Sequence, residues 1–487
     1  MKGTFRTSMA IVHTTLGLVT GWVLFAIALS GALSVFRREI SLWARPELST
    51  SVSSPLLTDA HALDWLNRNA STASAWYVGS ATDLCSFATA LWPDTKGKYI
   101  QRALDPETGS PDGIRDTLGG EFFYRFHFEL QLPHPWGRLI AALAALALVV
   151  GLVTGIIIHR RIFADFFTFR PSRGQRSWLD THNLLGVAAL PFHLMISFTG
   201  AVTLGSLLLP WSTQALYRND VTASYTELNP ALYSRPASGH AGHLAPILPM
   251  LQEADRHFGG TGLEQIYVFN PSDQASLVTV IAGNSHTVST SSQIITFDGP
   301  SGHILREHIE KRPIIRAYTF LYGLHVARFA PRVTRWLYFL SGLALAALIG
   351  SGMHLWTLKR LRRPHHLGHR IVARLNVGVL MGTPLAFASF FIANRLLPVT
   401  MPHRAGWEVT TVFIVWGITL AYTLVRNPER TWTELLGGNA AACFLITALS
   451  LPWHGSIVAG VGLTALILSA SFAFATYHRI RKTGLLA

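Results

Sequence analysis

The sequence contains few cysteines and few charged residues for its length. Only Cys85 and Cys443 occur among 487 residues, which excludes a disulfide framework, a four-cysteine metal cluster and a CxxCH haem-attachment motif. Charged residues make up 14% of the chain, whereas soluble proteins carry about a quarter. An ordinary soluble enzyme is therefore not expected, and 49% apolar residues indicate a membrane protein.

Apolar runs of about 20 residues are long enough to cross a bilayer. Eight runs satisfy this length, at about 9–36, 137–158, 179–209, 334–358, 373–397, 407–425, 434–452 and 455–477. The first, within residues 1–36, is longer than the apolar part of a signal peptide and lacks an A-x-A site, so we interpret it as a retained anchor. We expect an α-helical integral membrane protein with about eight spans, the last four forming a C-terminal bundle at 373–477.

The net charge of +14 reports membrane orientation and not a nucleic-acid partner. Basic residues cluster in the segments before span one, between spans two and three, and after spans four, six and eight. These residues are Lys2, Arg6, Arg160, Arg161, Arg170, Arg173, Arg176, Lys359, Arg360, Arg362, Arg363, Arg370, Arg374, Arg426, Arg430, Arg479, Arg481 and Lys482. All of them lie on one side if both termini are cytoplasmic, as the positive-inside rule predicts.

Two polar segments, 37–136 and 210–333, then face outward. They contain the turn-like stretches Asp105-Pro-Glu-Thr-Gly109 and Asp298-Gly-Pro-Ser-Gly302, flanked by short β-branched and aromatic runs. Each segment is typical of a small α+β domain with hairpins.

The first four spans contain an internal repeat. His13 lies four residues before Gly17 and 17 before Ser30-Gly31, and His182 has the same spacing to Gly186 and Thr199-Gly200. At the ends of spans two and four, Phe122–His127 matches Phe320–His325, and Thr154-Gly155 matches Ser351-Gly352. We interpret this as two parallel copies of a helix, outer domain and helix, related by an axis along the membrane normal.

Histidines within the repeat suggest a cofactor, because ionisable side chains inside a membrane are costly and usually functional. Equivalent positions pair His13 with His182 at the inner level and His127 with His325 at the outer level. Paired imidazoles on different helices are what haem iron with two axial histidines requires. Gly17 and Gly186, one turn from the inner pair, would let a porphyrin approach the backbone. We expect non-covalent b-type haem, two per chain.

Several alternatives remain open at this stage. His193 lies between the two levels and is an alternative outer ligand or the holder of a third group. For His159 and His354, a polar contact between helices is an equal alternative to ligation. Zinc is a competing interpretation, although short-spaced Cys/His sets and HExxH are lacking. A histidine proton relay is another.

The chain resembles the PepSY-associated transmembrane (PepSY-TM) family, also called iron-regulated membrane proteins. The matching features are the His13-x-x-x-Gly17 helix ending in Ser30-Gly31, the Asp105–Gly109 turn, Phe126-His127 and the stretch from Ile158 to Pro171. Trp178-Leu-Asp-Thr-His182-Asn and Leu190-Pro-Phe-His193 look like its longer subfamily, and His354 departs from the aliphatic residue expected there. The resemblance implies two periplasmic PepSY-like domains and shared histidines at His13, His127, His182 and His325.

The resemblance also implies an activity: a haem-dependent reductase of the bacterial inner membrane that passes electrons to ferric siderophores or other iron chelates in the periplasm. The electron donor would be a cytoplasmic reductant or a quinol. Trp65, Trp76, Arg102 and Arg115 could contact an anionic chelate or could equally serve the fold. Two rivals remain, a non-enzymatic membrane-anchored binding protein and a transporter for a metal or siderophore.

Overall fold

The computed structural model describes residues 4–48, 53–82, 85–159, 170, 174–208, 211–218, 220, 223–224, 227, 233–283, 287–290, 293–360, 366–452 and 455–483. Several basic residues used above for orientation lie outside the described residues, as does most of the 158–171 stretch. These basic residues are Lys2, Arg160, Arg161, Arg173, Arg362 and Arg363.

The chain divides into two compact units. A helical unit comprises Met1–Ala44, Thr117–Leu208 and Arg332–Ala487, and a sheet unit comprises Arg45–Asp116 and Leu209–Pro331. The helical unit contains α1 (Phe5–Ser34), α2 (Arg37–Trp43), α4 (Gly120–Glu129), α5 (Trp136–Ile158), α6 (Gln175–Ala188), α7 (Leu190–Thr203), α8 (Gly205–Leu208), α12 (Arg332–Arg360), α13 (Leu367–Leu396), α14 (Arg404–Val425), α15 (Pro428–Leu449) and α16 (Ser456–Thr483). The predicted outer segment 37–136 is therefore too long at both ends, because α2 and α4 lie within it but belong to the helical unit.

Seven helices in the described part of the chain are long and apolar enough to cross a membrane: α1, α5, α12, α13, α14, α15 and α16. The predicted third span, 179–209, is not one straight helix. It consists of α6 and α7, which meet at an angle of 70° and give an eighth span if the pair crosses together. Pro191 in the first turn of α7 explains the break, because proline lacks the N–H that would continue the α6 hydrogen-bond ladder.

The C-terminal bundle packs directly on the repeated helices through α13. Apolar side chains of α1, α5 and α12 share a buried cluster with Val379 and Leu380 of α13. Within this contact, Trp22 Nε1 donates to Asn376 Oδ1 at 2.6 Å, and Asn376 Nδ2 donates to Thr357 Oγ1 at 2.9 Å. One amide side chain thus joins α1, α12 and α13, so its polar atoms are paired where no water is available to them.

The sheet unit contains α3 (Pro55–Asn69), β1 (Ala75–Gly79), β2 (Ala88–Pro93), β3 (Tyr99–Leu104), α9 (Trp211–Tyr217), α10 (Ile247–His257), β4 (Leu263–Phe269), β5 (Leu277–Ala282), β6 (Ile294–Asp298), β7 (Ile304–His308) and α11 (Pro313–Val326). The strands of the described residues pair antiparallel in one sheet of seven, in the order β3-β2-β1-β4-β5-β6-β7. Side chains of α3 and α10 share one buried apolar cluster with this sheet.

The two outer segments therefore form one structural unit, which corrects the expectation of two separate small domains. Strands β1 and β4 pair with each other, with Tyr77 opposite Tyr267. This pairing satisfies the backbone N–H and C=O groups that each segment alone would leave exposed on an edge strand. The helix-and-three-strand order α3-β1-β2-β3 is repeated as α10-β4-β5-β6, and β7 is added to the second copy.

The repeated Asp-x-x-x-Gly turn has the same geometry in both copies. The Gly109 N–H donates to Asp105 O at 2.9 Å, and the Gly302 N–H donates to Asp298 O at 2.8 Å. Both glycines have positive φ, at 69° and 72°. A Cβ on Gly109 would lie 2.1 Å from the carbonyl oxygen of His61, so this turn requires glycine.

A carboxyl group is buried in the sheet unit. Asp59 on α3 is fully buried, and its Oδ1 accepts the Ala81 N–H at 2.8 Å. Burial disfavours the charged form and raises the pKa of Asp59 from 3.8 to about 7. Between pH 3.8 and about 7, Asp59 therefore stays protonated in the folded chain, whereas it loses its proton in the unfolded chain.

We expect this component of the stability of the sheet unit to fall as the pH rises from about 4 to about 7 and to stay level above that. Asp59→Asn keeps the acceptor oxygen for Ala81 and should remove the effect, which amounts to about 4 kcal/mol for a pKa difference of about three units. This change in stability is measured by amide hydrogen exchange of β1 and α3 at about pH 5 and about pH 8, after correction for the intrinsic exchange rate. An equal loss of protection in the wild type and Asp59→Asn would contradict the assignment.

Candidate functional site

His13 on α1 is held against α5 by its Nδ1 atom. Nδ1 lies 2.9 Å from the carbonyl oxygen of Gly151 and 3.3 Å from Thr154 Oγ1. Because a carbonyl oxygen only accepts, Nδ1 donates its proton to Gly151 O, and Nε2 is the ring nitrogen that stays available to a metal. A Cβ on Gly155 would lie 3.3 Å from His13 Cε1, so glycine provides the space that the ring occupies.

His182 on α6 is held against α12 in the same way. Its Nδ1 lies 3.0 Å from the carbonyl oxygen of Leu348 and 3.1 Å from Ser351 Oγ. A Cβ on Gly352 would lie 3.1 Å from His182 Cε1. Leu348, Ser351 and Gly352 are the repeat counterparts of Gly151, Thr154 and Gly155, which hold His13.

His127 on α4 uses the same arrangement on α1. Its Nδ1 lies 2.8 Å from the carbonyl oxygen of Ile27, and a Cβ on Gly31 would lie 2.7 Å from both its Cε1 and Nδ1. Burial lowers the pKa of His127 below its usual value, so the imidazole is neutral at neutral pH. A neutral imidazole is the form that can ligate a metal.

We call this arrangement a glycine notch: a helix carbonyl at one position, Ser or Thr three residues later, and Gly four residues later. The hydroxyl groups of Thr154, Ser351 and Ser30 donate to the same carbonyl oxygens that accept the histidines. In a helix, a side chain leans over the preceding turn. At these three positions a Cβ on the fourth residue would crowd the ring, so glycine leaves the room that the ring needs.

The structure brings the rings of His13 and His182 together. Their centroids are 6.4 Å apart and their planes are inclined by 75°. These are the two residues that the repeat pairs at the inner level. Gly17 and Gly186, singled out from the sequence, do not contact either ring: a Cβ on Gly17 would meet no atom within 4 Å, and one on Gly186 would meet Leu348.

The other predicted residues lie in different surroundings. His193 is fully buried on α7, with Nε2 at 3.4 Å from the carbonyl oxygen of Ser341 and Nδ1 without a partner among the described residues. His325 lies in the last turn of α11, in the sheet unit. Its pairing with His127 stays a prediction.

His159 and His354 lie near the C-terminal ends of α5 and α12. His159 follows the last residue of α5, and its backbone N–H donates to Gly155 O at 3.1 Å. The ring of His354 packs on Trp178 at 4.5 Å and on Trp432 at 5.9 Å, between centroids. His354 therefore makes aromatic contacts with other helices, and a ligand role for it stays a prediction.

Three of the four residues considered for chelate binding make contacts within the sheet unit. Trp76 is fully buried and its Nε1 donates to Ala70 O, Trp65 packs edge-on against Trp92, and Arg115 Nε pairs with Glu47 at 2.8 Å. Arg102, which lies 3.4 Å from Asp116, is the more exposed of the two arginines.

The family model described as PepSY-associated TM region matches residues 10–359. The chain belongs to this family. An uncharacterized protein of Pseudomonas aeruginosa is 26% identical to this PepSY-TM chain over 381 residues, covering 72% of this chain and 92% of that protein. Protoheme IX farnesyltransferase 2 of Natronomonas pharaonis is 27% identical over 129 residues, covering 26% of this chain and 28% of that protein. The second match is too short for its activity to be transferred.

Sequence reasoning missed the role of the small-residue pairs in this PepSY-TM chain. Ser30-Gly31, Thr154-Gly155 and Ser351-Gly352 were identified as markers of the repeat, but their contact with histidines was not. The available signal was the recurrence of Ser or Thr followed by Gly at equivalent positions of the two copies. The family match ends at residue 359, so α13 to α16 lie beyond it.

The glycine notch predicts a strong coupling between Gly31 and His127. Gly31→Ala should destabilise the wild type, because the added Cβ displaces the ring, but it should be neutral or slightly stabilising in the His127→Ala background. We expect a coupling energy of about 1–3 kcal/mol in a double-mutant cycle of unfolding free energies. Gly417→Ala, whose Cβ meets no atom within 4 Å, is the control. Additive effects of Gly31→Ala and His127→Ala would contradict the notch.

Proposed function

We propose that this PepSY-TM protein binds b-type haem through His13 and His182 and passes electrons across the membrane to a ferric chelate. The observation that carries the proposal is the pairing of two imidazoles from equivalent positions of the repeat, each bound at Nδ1 in a glycine notch. Metal-ligating histidines commonly donate their second ring N–H to a carbonyl, which sets the tautomer and the ring orientation.

The spacing of the two rings fits the cofactor. Two imidazoles bound to one metal through nitrogen atoms at about 2 Å place their ring centroids about 6 Å apart. The observed separation is 6.4 Å. No group of three or more His, Cys, Asp or Glu side chains suited to a metal ion occurs among the described residues, which favours haem over a zinc site.

A second haem would use His127, which sits in a third glycine notch, and its repeat counterpart His325. His193 is the alternative partner, because its buried Nδ1 lacks a hydrogen bond among the described residues. When bound, haem supplies one-electron transfer. The residues of the chain would hold the rings by their Nδ1 atoms and surround them with apolar helices.

The proposed acceptor is a ferric siderophore or another iron chelate on the periplasmic side of the bacterial inner membrane, where the sheet unit would lie. The proposed donor is a cytoplasmic reductant or a membrane quinol. Both chain termini would then be cytoplasmic, consistent with the distribution of basic residues.

The visible spectrum of the purified protein tests the cofactor. We expect a Soret band and α and β bands that sharpen on reduction with dithionite, as in haem with two histidine ligands. A folded but colourless protein from haem-replete cells would overturn the proposal and would favour the non-enzymatic anchor.

The inner pair predicts the effect of single substitutions. His182→Ala should reduce the bound haem to about half of the wild-type amount if two haems are present. His61→Ala is a matched control, since His61 also places Nδ1 near a carbonyl oxygen, that of Pro106 at 2.9 Å, but lies in the sheet unit. The pyridine haemochrome assay measures haem per protein. Full haem content in His182→Ala would show that this residue is not a ligand.

The acceptor is tested with prereduced protein under anaerobic conditions. Adding a ferric siderophore should abolish the reduced α band and yield Fe(II), trapped by a ferrous chelator. The same siderophore loaded with Ga(III), which is not reduced under these conditions, should leave the α band unchanged. Persistence of the α band with the ferric complex would contradict reductase activity while leaving haem binding intact.

A further inference from the structure

Helix α14 begins with an ion pair that is completely buried. Arg404 Nη1 lies 2.5 Å from Glu408 Oε1, and both side chains have no exposed surface. Burying two charges is costly, and inside a membrane such residues are usually functional. The pair lies beyond the residues that match the family model, and neither the glycine notches nor the proposed electron transfer uses it.

The hydrogen bonds of the pair connect it to two other parts of the helical unit. Asn394 Nδ2 at the end of α13 donates to Glu408 Oε1 at 2.9 Å, and Thr117 Oγ1 donates to Glu408 Oε2 at 2.5 Å. Arg404 Nη2 donates to the carbonyl oxygen of Asn394 at 2.5 Å, which satisfies a terminal carbonyl of α13. We call Thr117, Asn394, Arg404 and Glu408 the polar network.

Thr117 places the polar network at the start of α4, the helix that carries His127. Its Oγ1 accepts the N–H of Gly119, the residue preceding α4, at 3.0 Å. The next N–H, of Gly120, donates to Ser41 Oγ at 3.0 Å. A Cβ on Gly120 would lie 2.0 Å from the carbonyl oxygen of Arg37, so the chain is closely confined here.

Aromatic packing fixes the next turn of α4 to α13, the helix that carries Asn394. The rings of Phe122 and Phe390 are stacked, with centroids 4.7 Å apart and planes inclined by 10°. Phe126 packs edge-on against Phe387 at 5.2 Å. His127, the next residue, enters the notch on α1 instead. Helix α4 is therefore held between α13 and α1.

We infer that the polar network and the phenylalanine contacts of the C-terminal bundle position α4, and thereby orient His127 in its notch. Thr117, Asn394, Arg404 and Glu408 are positioning residues on this view, and the bundle acts on the outer histidine without contributing a ligand. The orientation of α4 is independent of any cofactor, but its consequence for haem rests on the proposed function.

The first test measures α4 itself, in the full-length protein. Thr117→Val and Asn394→Leu each remove hydrogen bonds of the polar network. Amide hydrogen exchange across Gly120–Glu129 should become on the order of tenfold faster in both variants. Thr117→Ser keeps the hydroxyl group and should restore the wild-type rate.

Asn439→Leu is the matched control. Asn439 is also buried in the C-terminal bundle, but its Nδ2 donates to Met381 O and Leu435 O and makes no described hydrogen bond to α4. This variant should leave exchange in α4 unchanged, even if it lowers the overall stability. Equal exchange in α4 for Asn394→Leu and Asn439→Leu, or wild-type exchange in Thr117→Val, would overturn the inference.

The second test measures the consequence for the cofactor. In a redox titration of the haem-loaded protein, Asn394→Leu should shift the midpoint potential or the low-spin electron paramagnetic resonance signal of one haem and leave the other unchanged. Unchanged signals of both haems, together with faster exchange in α4, would overturn the link to His127. If the protein binds no haem, the proposed function fails while the exchange experiment still decides the positioning of α4.

Discussion

A helix carbonyl that already accepts a backbone hydrogen bond can also accept the N–H of a histidine ring when the residue one turn further on is small enough to leave room for that ring. Among the described residues of the helical unit, this arrangement is seen at Gly31, Gly155 and Gly352. At each position the histidine ring lies where a Cβ would otherwise be, and a Ser or Thr hydroxyl group shares the same carbonyl. The packing of α1 against α5, of α6 against α12, and of α4 against α1 depends on these contacts.

The same constraint explains why the histidines are suited to a shared chemical role. A ring held only by apolar packing could rotate and exchange its tautomer, whereas donation from Nδ1 to a carbonyl fixes both. In a low-dielectric environment an unpaired Nδ1–H would be costly, so the notch also offsets the burial of each imidazole. His193, whose Nε2 lies 3.4 Å from the nearest described carbonyl partner, is held more loosely.

The sequence predicts those features that depend on local periodicity or on the repeat. The spans at 137–158 and 407–425 fall within one or a few residues of α5 and α14, and the pairing of His13 with His182 follows from the spacing alone. The break between α6 and α7 was missed because apolar residues continue on both sides of Pro191, which is its local cause. The polar network was missed for a different reason: Thr117 and Glu408 are far apart in sequence, and no periodicity relates them.

The joining of β1 to β4 also has a consequence for the origin of the chain. Antiparallel pairing of equivalent strands is a two-fold arrangement, in which the two copies present the same edge to each other. A protein with a single copy of the helix, outer segment and helix could therefore build the central part of this sheet only as a homodimer. Fusion of the two copies turns that contact between subunits into a contact within one chain, and thereby removes its dependence on protein concentration.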